Sequence, residues 1–156
     1  MDIKKKDKLF YKGDRLNYSS VDCLNQKQVN NFLKKNKKFD VIIDDSSHTY
    51  DAFFFNIKNF YKHLNDGGIY ILEDFRGADR ERKLSQKFNK ENSGIFLQRD
   101  KYTIEQIFDY ILKKEKFNHS ILTSNDLDFI FDNTEKSSII KTEHPNGALA
   151  ILFRKN

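Results

Sequence analysis

The chain's 156 residues and net charge of +5 suit one domain, since a chain of this length buries close to ~70% of its unfolded surface and holds a real core. Fifteen Phe and seven Tyr supply that core, and the single Cys23 excludes an internal disulfide, which fits a reducing compartment. No apolar run approaches the ~20 residues of a membrane span, and the Lys-rich start lacks the apolar stretch of a signal peptide, so the expectation is a soluble, cytoplasmic protein with no membrane partner.

The lysines fall in short clusters, Lys4 to Lys6, Lys34 to Lys38 and Lys113 to Lys116, among many Asn and Ile. With no nucleic-acid motif beside them, they read as solvated helix ends rather than as a nucleic-acid surface. In chain order, Met1-Asp2-Ile3 is at most the tail of a strand, because the residues from Lys4 to Gly13 are too polar for a core strand. Leu16, Tyr18 and Val21 alternate weakly and predict a strand ending at Asp22. Val29, Phe32 and Leu33, at i, i+3 and i+4, predict a short amphipathic helix over 25 to 35.

Phe39 to His48 is the stretch that organises the rest. Three β-branched residues, Val41, Ile42 and Ile43, predict a short strand buried on both faces, as in a parallel sheet. Asp44, Asp45 and His48 follow at its C-terminal end, where open α/β sheets bind their ligands. Phe53, Phe54, Ile57, Phe60, Tyr61 and Leu64 then recur at helical spacing, and Asn65-Asp66-Gly67-Gly68 ends that helix with a glycine able to take the left-handed conformation. A second strand, Ile69 to Leu72, ends in Glu73-Asp74. Strand, helix, glycine turn and strand make a βαβ unit with a right-handed crossover, and four carboxylates and one histidine would converge on its rim.

Arg76 to Gln98 shows no clear period and is expected to be a helix-loop segment over that rim. Thr103 and Gln106 spell a capping box ahead of an apolar stripe of Ile104, Ile107, Phe108, Ile111 and Leu112. Leu127 to Phe131 and Ala148 to Phe153 are strand candidates, with Ser138 to Lys141 a third, and His144-Pro145-Asn146-Gly147 predicts a turn into a closing antiparallel hairpin.

The run from Asp40 to His48, the Gly67-Gly68 turn and the Glu73-Asp74 ending resemble class I S-adenosylmethionine-dependent methyltransferases. The likeness is nearest to the macrocin and mycinamicin sugar O-methyltransferases and the cephalosporin-hydroxylase-like group, whose strand reads D-x-x-I-D-D-G-S-H; Ser46 stands where the family has Gly. The resemblance implies a Rossmann-like α/β sandwich in three layers, with strands at 16 to 21, 40 to 44 and 69 to 73 parallel in a mostly parallel sheet, and a C-terminal antiparallel hairpin. It implies a Mg²⁺ site at Asp45, Glu73 and Asp74, His48 as the general base, and contacts to S-adenosylmethionine from Asp2, Asp22 with its neighbour Cys23, and Asp44. It implies a small-molecule or sugar acceptor.

Each residue also has a plainer role open to it. Asp44, Asp45 and Ser47 could cap the following helix, His48 could be a surface residue, as His63, His119 and His144 are expected to be, and Cys23 could be a small buried side chain. Against this, four acids on one rim repel one another unless a cation or a function holds them there. The chain contains no G-x-G, the motif of the family's first strand and cofactor turn, so the expectation is an N-terminally truncated domain beginning at the end of the family's second strand. Two functions of different class stay open: an O-methyltransferase, either complete with an unusual cofactor site or the C-terminal portion of a split or truncated gene, and a non-catalytic relative that serves as a ligand-binding or subunit-interaction module, with a homo-oligomer or a complementing subunit as the expected protein partner.

Overall fold

The computed structural model describes residues 17–76, 78, 102–143 and 147–156. The chain divides into two compact units, Met1–Lys37 and Lys38–Asn156.

In the first unit, α1 runs over Gln26–Lys35. Asn25 caps it by accepting from the Gln28 amide at 3.2 Å, and the buried residues are Val29 and Leu33, as the spacing predicts. The expected strand at 16 to 21 does not form over its described part, where only Ser20 makes an isolated bridge. Tyr18 and Val21 are three residues apart, which breaks the two-residue period a strand needs to keep one face buried.

The second unit is built on a four-stranded sheet in the order β1-β2-β4-β3, where β1 is Phe39–Asp44, β2 Leu64–Glu73, β3 Thr134–Lys141 and β4 Ala148–Arg154. β1 and β2 are parallel, with Ile42 opposite Tyr70 and Asp44 opposite Leu72. β4 lies antiparallel between β2 and β3. The α/β architecture and the closing hairpin are as expected. The parallel share of the described sheet is smaller, one pairing of three, because the strand expected at 16 to 21 is absent from it.

Helix α2, Tyr50–Phe60, continues into a 3-10 turn, Tyr61–His63, and makes the crossover between the parallel strands. α3, Ile104–Lys113, opens with the predicted capping box, the Thr103 hydroxyl accepting from the Gln106 amide at 3.1 Å. Its stripe is buried except for Leu112, which is exposed. Leu127 to Phe131 is not a strand. It lies inside α4, Ser124–Asn133, which opens with a second capping box between Thr123 and Asp126. Leu127, Ile130 and Phe131 are buried, and i, i+3, i+4 is helical spacing.

Gly67 takes φ +73°, as expected of that glycine, but in a different setting. β2 already begins at Leu64, and six residues of it, from Leu64 to Ile69, are set against three of β1, from Phe39 to Val41. Asn65 to Gly68 therefore bulge out of the strand. A side chain at Gly68 would meet the Asn65 carbonyl oxygen at 2.8 Å and that of Asp40 at 3.1 Å.

The two faces of the sheet differ. Tyr70, Leu72, Ala150 and Leu152 point to a fully buried face, and α2 and α3 lie against it. Ile69, Ile71, Ile151 and Phe153 point the other way and are half-buried, while Val41 and Ile43 beside them are 50% and 59% exposed. The expectation that β1 is buried on both faces is thus met on one face only: an apolar run fixes that a strand packs somewhere, not on how many sides. No helix among the described residues is long and apolar enough to cross a membrane.

Candidate active site

The parallel register sets the geometry of the rim. Asp44 ends β1 opposite Leu72, so Asp45 follows β1 where Glu73 closes β2, and Asp74 comes next. Two residues here hold positive φ without being glycine, His48 at +55° and Asp74 at +52°. Such conformations cost of order 1 kcal/mol each and persist where the surroundings impose them.

Asp45 and His48 are brought together: Nε2 of His48 lies 2.8 Å from Oδ1 of Asp45. Both side chains reach solvent, and the His48 ring leans over Phe53 at a centroid distance of 6.1 Å. Neither aspartate caps α2. That role belongs to Thr49, whose hydroxyl accepts from the Ala52 amide at 3.4 Å and also pairs with the Ser47 hydroxyl at 3.3 Å. The plainest alternative for Asp45 is therefore already filled by another residue.

Asp44 faces inward. It is 6% exposed, Tyr70 donates its phenol proton to Oδ2 at 2.7 Å, and Asn56 donates an amide proton to Oδ1 at 3.0 Å. Burial pushes this carboxyl above its ordinary range, against the pull of those hydrogen bonds. Among the described residues, the buried Oδ1 of Asn56 has no partner. Tyr70 and Asn56 are the functional-region residues that sequence reasoning passed over. Their signal was present: Tyr70 shares the period of Leu72, and Asn56 interrupts the buried α2 stripe between Phe53 and Ile57.

Glu73 is half-buried and Asp74 exposed. Among the described residues, no three His, Cys, Asp or Glu side chains gather closely enough to hold a metal ion. The backbone nonetheless sets Asp45, Glu73 and Asp74 at the ends of adjoining strands, and their all-oxygen donor chemistry fits a hard cation.

Asp22 and Cys23 belong to the first unit. Asp22 Oδ1 accepts from the Leu24 amide at 3.0 Å, a local turn that leaves its other oxygen outside that bond. Cys23 is half-buried and in no disulfide, its thiol donating to the Val21 carbonyl at 3.9 Å. Asp2 and His144 lie outside the described residues, as do Arg80 to Gln98 of the expected rim segment. His119 is not a plain surface residue: its Nδ1 accepts from the Ile121 and Leu122 amides, both at 3.1 Å, and its ring stacks on Tyr50 at 5.7 Å. His63 is half-buried, with burial pushing it below the usual imidazole range.

Solved structures of one enzyme share this fold. The MycE methyltransferase from the mycinamycin biosynthetic pathway, in complex with Mg, SAH and mycinamycin VI, superimposes with a TM-score of 0.62 at 15% identity, over 99% of this chain and 35% of that one. A crystal form of MycE with Mg and SAH gives 0.62 at 16% identity, over 99% and 36%, and a second gives 0.54 at 15%, over 88% and 32%. No protein-family model and no curated protein sequence matches the chain. The likeness establishes a methyltransferase fold, and this chain spans about a third of the length of the chains it matches.

Proposed function

We propose that the chain carries the base- and metal-bearing part of an S-adenosylmethionine-dependent, Mg²⁺-dependent O-methyltransferase acting on a hydroxyl of a small molecule or sugar. The observation that carries this reading is the hydrogen bond between Asp45 and His48 on the loop after β1, beside the acidic end of parallel β2. The Mg and SAH held by the MycE structures of the same fold support it.

Asp45, Glu73 and Asp74 would hold the divalent ion. When bound, S-adenosylmethionine supplies an electrophilic methyl group and the ion favours the ionised form of a nearby hydroxyl. With Nε2–H of His48 donated to Asp45, the lone pair of Nδ1 is left to take the proton of the acceptor hydroxyl, and the Asp45 carboxylate stabilises the resulting imidazolium. Oδ2 of Asp45 is outside that bond, so one carboxylate would serve both histidine and ion. Asp2, Asp22 and Cys23 would flank the adenosine. Asp44, with both oxygens bound internally, would serve the cofactor by fixing the loop that carries Asp45 and His48.

With no G-x-G in the chain, the cofactor's amino-acid part lacks its usual backbone donors, each such charge-assisted bond being worth ~1.5–3 kcal/mol. A complementing segment, on a second subunit, would restore them. The open apolar face around Val41, Ile43 and Ile71 is where it would dock. Calorimetric titration of S-adenosylmethionine into the chain is expected to show weak, saturable binding that Mg²⁺ strengthens. Absence of saturable heat contradicts the reading, and micromolar or tighter affinity shows a cofactor site built without a Gly-rich turn.

A further inference from the structure

His119 lies in the connector between α3 and α4, residues 114–123, and its ring is packed on α2. It stacks on Tyr50 at 5.7 Å and meets Phe54 edge-on at 4.4 Å, with Phe117 of the connector 6.2 Å away. Both ring nitrogens are engaged. Nδ1 accepts from the Ile121 and Leu122 amides, each at 3.1 Å, and Nε2 lies 3.2 Å from the Tyr50 hydroxyl.

This pattern assigns the protonation state. A nitrogen that accepts two hydrogen bonds carries a lone pair and no proton, so the bound ring is the neutral Nε2–H tautomer, donating to the Tyr50 oxygen. Protonating Nδ1 would aim a third N–H at two N–H donors. Both bonds would be lost, the two amides would be left without their acceptor, and the new charge would sit on a half-buried ring.

The connector is therefore tied down by the neutral ring alone. Of the groups against that ring, the Tyr50 phenol is the titratable one, and Tyr110 of α3 backs Phe117 at 5.5 Å. The charged side chains on the surrounding elements include Asp51 and Lys58 of α2, Lys116 of the connector and Asp126 of α4. Carboxylates, ammonium groups and phenols ordinarily titrate outside the range from about pH 5.5 to about pH 7.5, which leaves the imidazole as the group that answers there. Binding the neutral form makes the tie complete well above ~6.5, the ordinary imidazole value, and weakens it as pH falls below.

Release would be local. Lys58 holds the Ile121 carbonyl at 3.2 Å, and Thr123 caps α4 independently. Phe117, two residues before His119, is a wall of the cavity of about 310 Å³ that Tyr102, Leu127 and Phe131 also line. We propose that His119 is an acid-sensitive latch: neutral, it ties the connector to the start of α2, and protonated, it lets residues 117–120 move away and opens the aromatic cavity to solvent. The device stands whether or not the chain transfers methyl groups.

The test is amide hydrogen exchange of the whole chain, read by NMR as protection factors so that the intrinsic pH dependence of exchange is removed. With proton uptake confined to the released form and an imidazole of ~6.5, protection of the Ile121 and Leu122 amides should fall about tenfold between about pH 7.5 and about pH 5.5. Amides of β2 and β4 should fall less, which separates local release from global loss of stability. His119→Gln, which keeps a donor and an acceptor without a titrating ring, should abolish the fall, and His48→Gln should keep it. A long-range ¹H–¹⁵N correlation of the wild-type imidazoles reads the same point without a variant: at about pH 7.5 His119 should show a bare Nδ1. An Nδ1–H tautomer there, unchanged protection at Ile121 and Leu122, an equal fall in the central strands, the same fall in His119→Gln, or a fall that His48→Gln removes overturns the proposal.

Discussion

Asp44 and Asp126 are both buried carboxylates, and their surroundings push them in opposite directions. Burial raises Asp126 too, but hydrogen bonds from Lys62, at 2.6 Å, and from Thr123 outweigh it and hold the group at about 2. A folded value below the unfolded one gives stability that is complete above about pH 4 and is lost as pH falls toward about 2. Asp126→Asn is therefore expected to cost about 2 kcal/mol at neutral pH, with the gap to wild type closing in urea melts run near pH 2. For Asp44 the folded value is raised, so the stability it contributes is full in acid, below the ordinary carboxylate value, and is lost as pH rises from there through the raised folded value. Asp44→Asn should thus be close to neutral at pH 7, within about 1 kcal/mol, since a flip of the Asn56 amide lets its Oδ1 accept from the new amide, which still accepts from Tyr70. A loss of several kcal/mol in the same melts would show that the charge itself is needed there.

At the scale of elements, the parts that could be read from sequence are those whose signal is local and repeated. α1, the β1-α2-β2 unit and the Thr103 capping box follow from spacing and cap chemistry, and all are present. The miss at Leu127 to Phe131 came from reading a dense apolar run as a strand. The Thr123-to-Asp126 capping box ahead of it was the missed helix signal, with Asp where Glu or Gln is usual. Thr103→Ala is expected to lose about 1 kcal/mol. Thr123→Ala should lose more in the same thermal scan, because its hydroxyl also donates to buried Asp126 at 2.7 Å. The candidate site was legible only in part. The i, i+3 spacing of Asp45 and His48 translates into contact, whereas the inward turn of Asp44 depends on Tyr70 and Asn56, partners that only the tertiary fold supplies.

At the scale of the molecule, the two faces of the sheet predict unequal sensitivity to substitution. Leu72 is fully buried against the helices, and Leu72→Ala should cost ~2–5 kcal/mol. Ile43 is 59% exposed, so Ile43→Thr should change stability by no more than about 0.5 kcal/mol in the chain alone. A large loss from Ile43→Thr, measured by chemical denaturation at low protein concentration, would mean that this face is covered in the chain itself. A loss that appears only at high concentration would point to self-association through it.

The rim itself is decided by metal binding. Titrating Mn²⁺ as a spectroscopic stand-in for Mg²⁺ against the wild-type chain, followed by water-proton relaxation, should reveal a saturable site that Asp45→Asn and Asp74→Asn each weaken by about tenfold or more. Equal, negligible binding by wild type and both variants would contradict the account, leaving Asp45 and His48 as an isolated pair with no ion beside them.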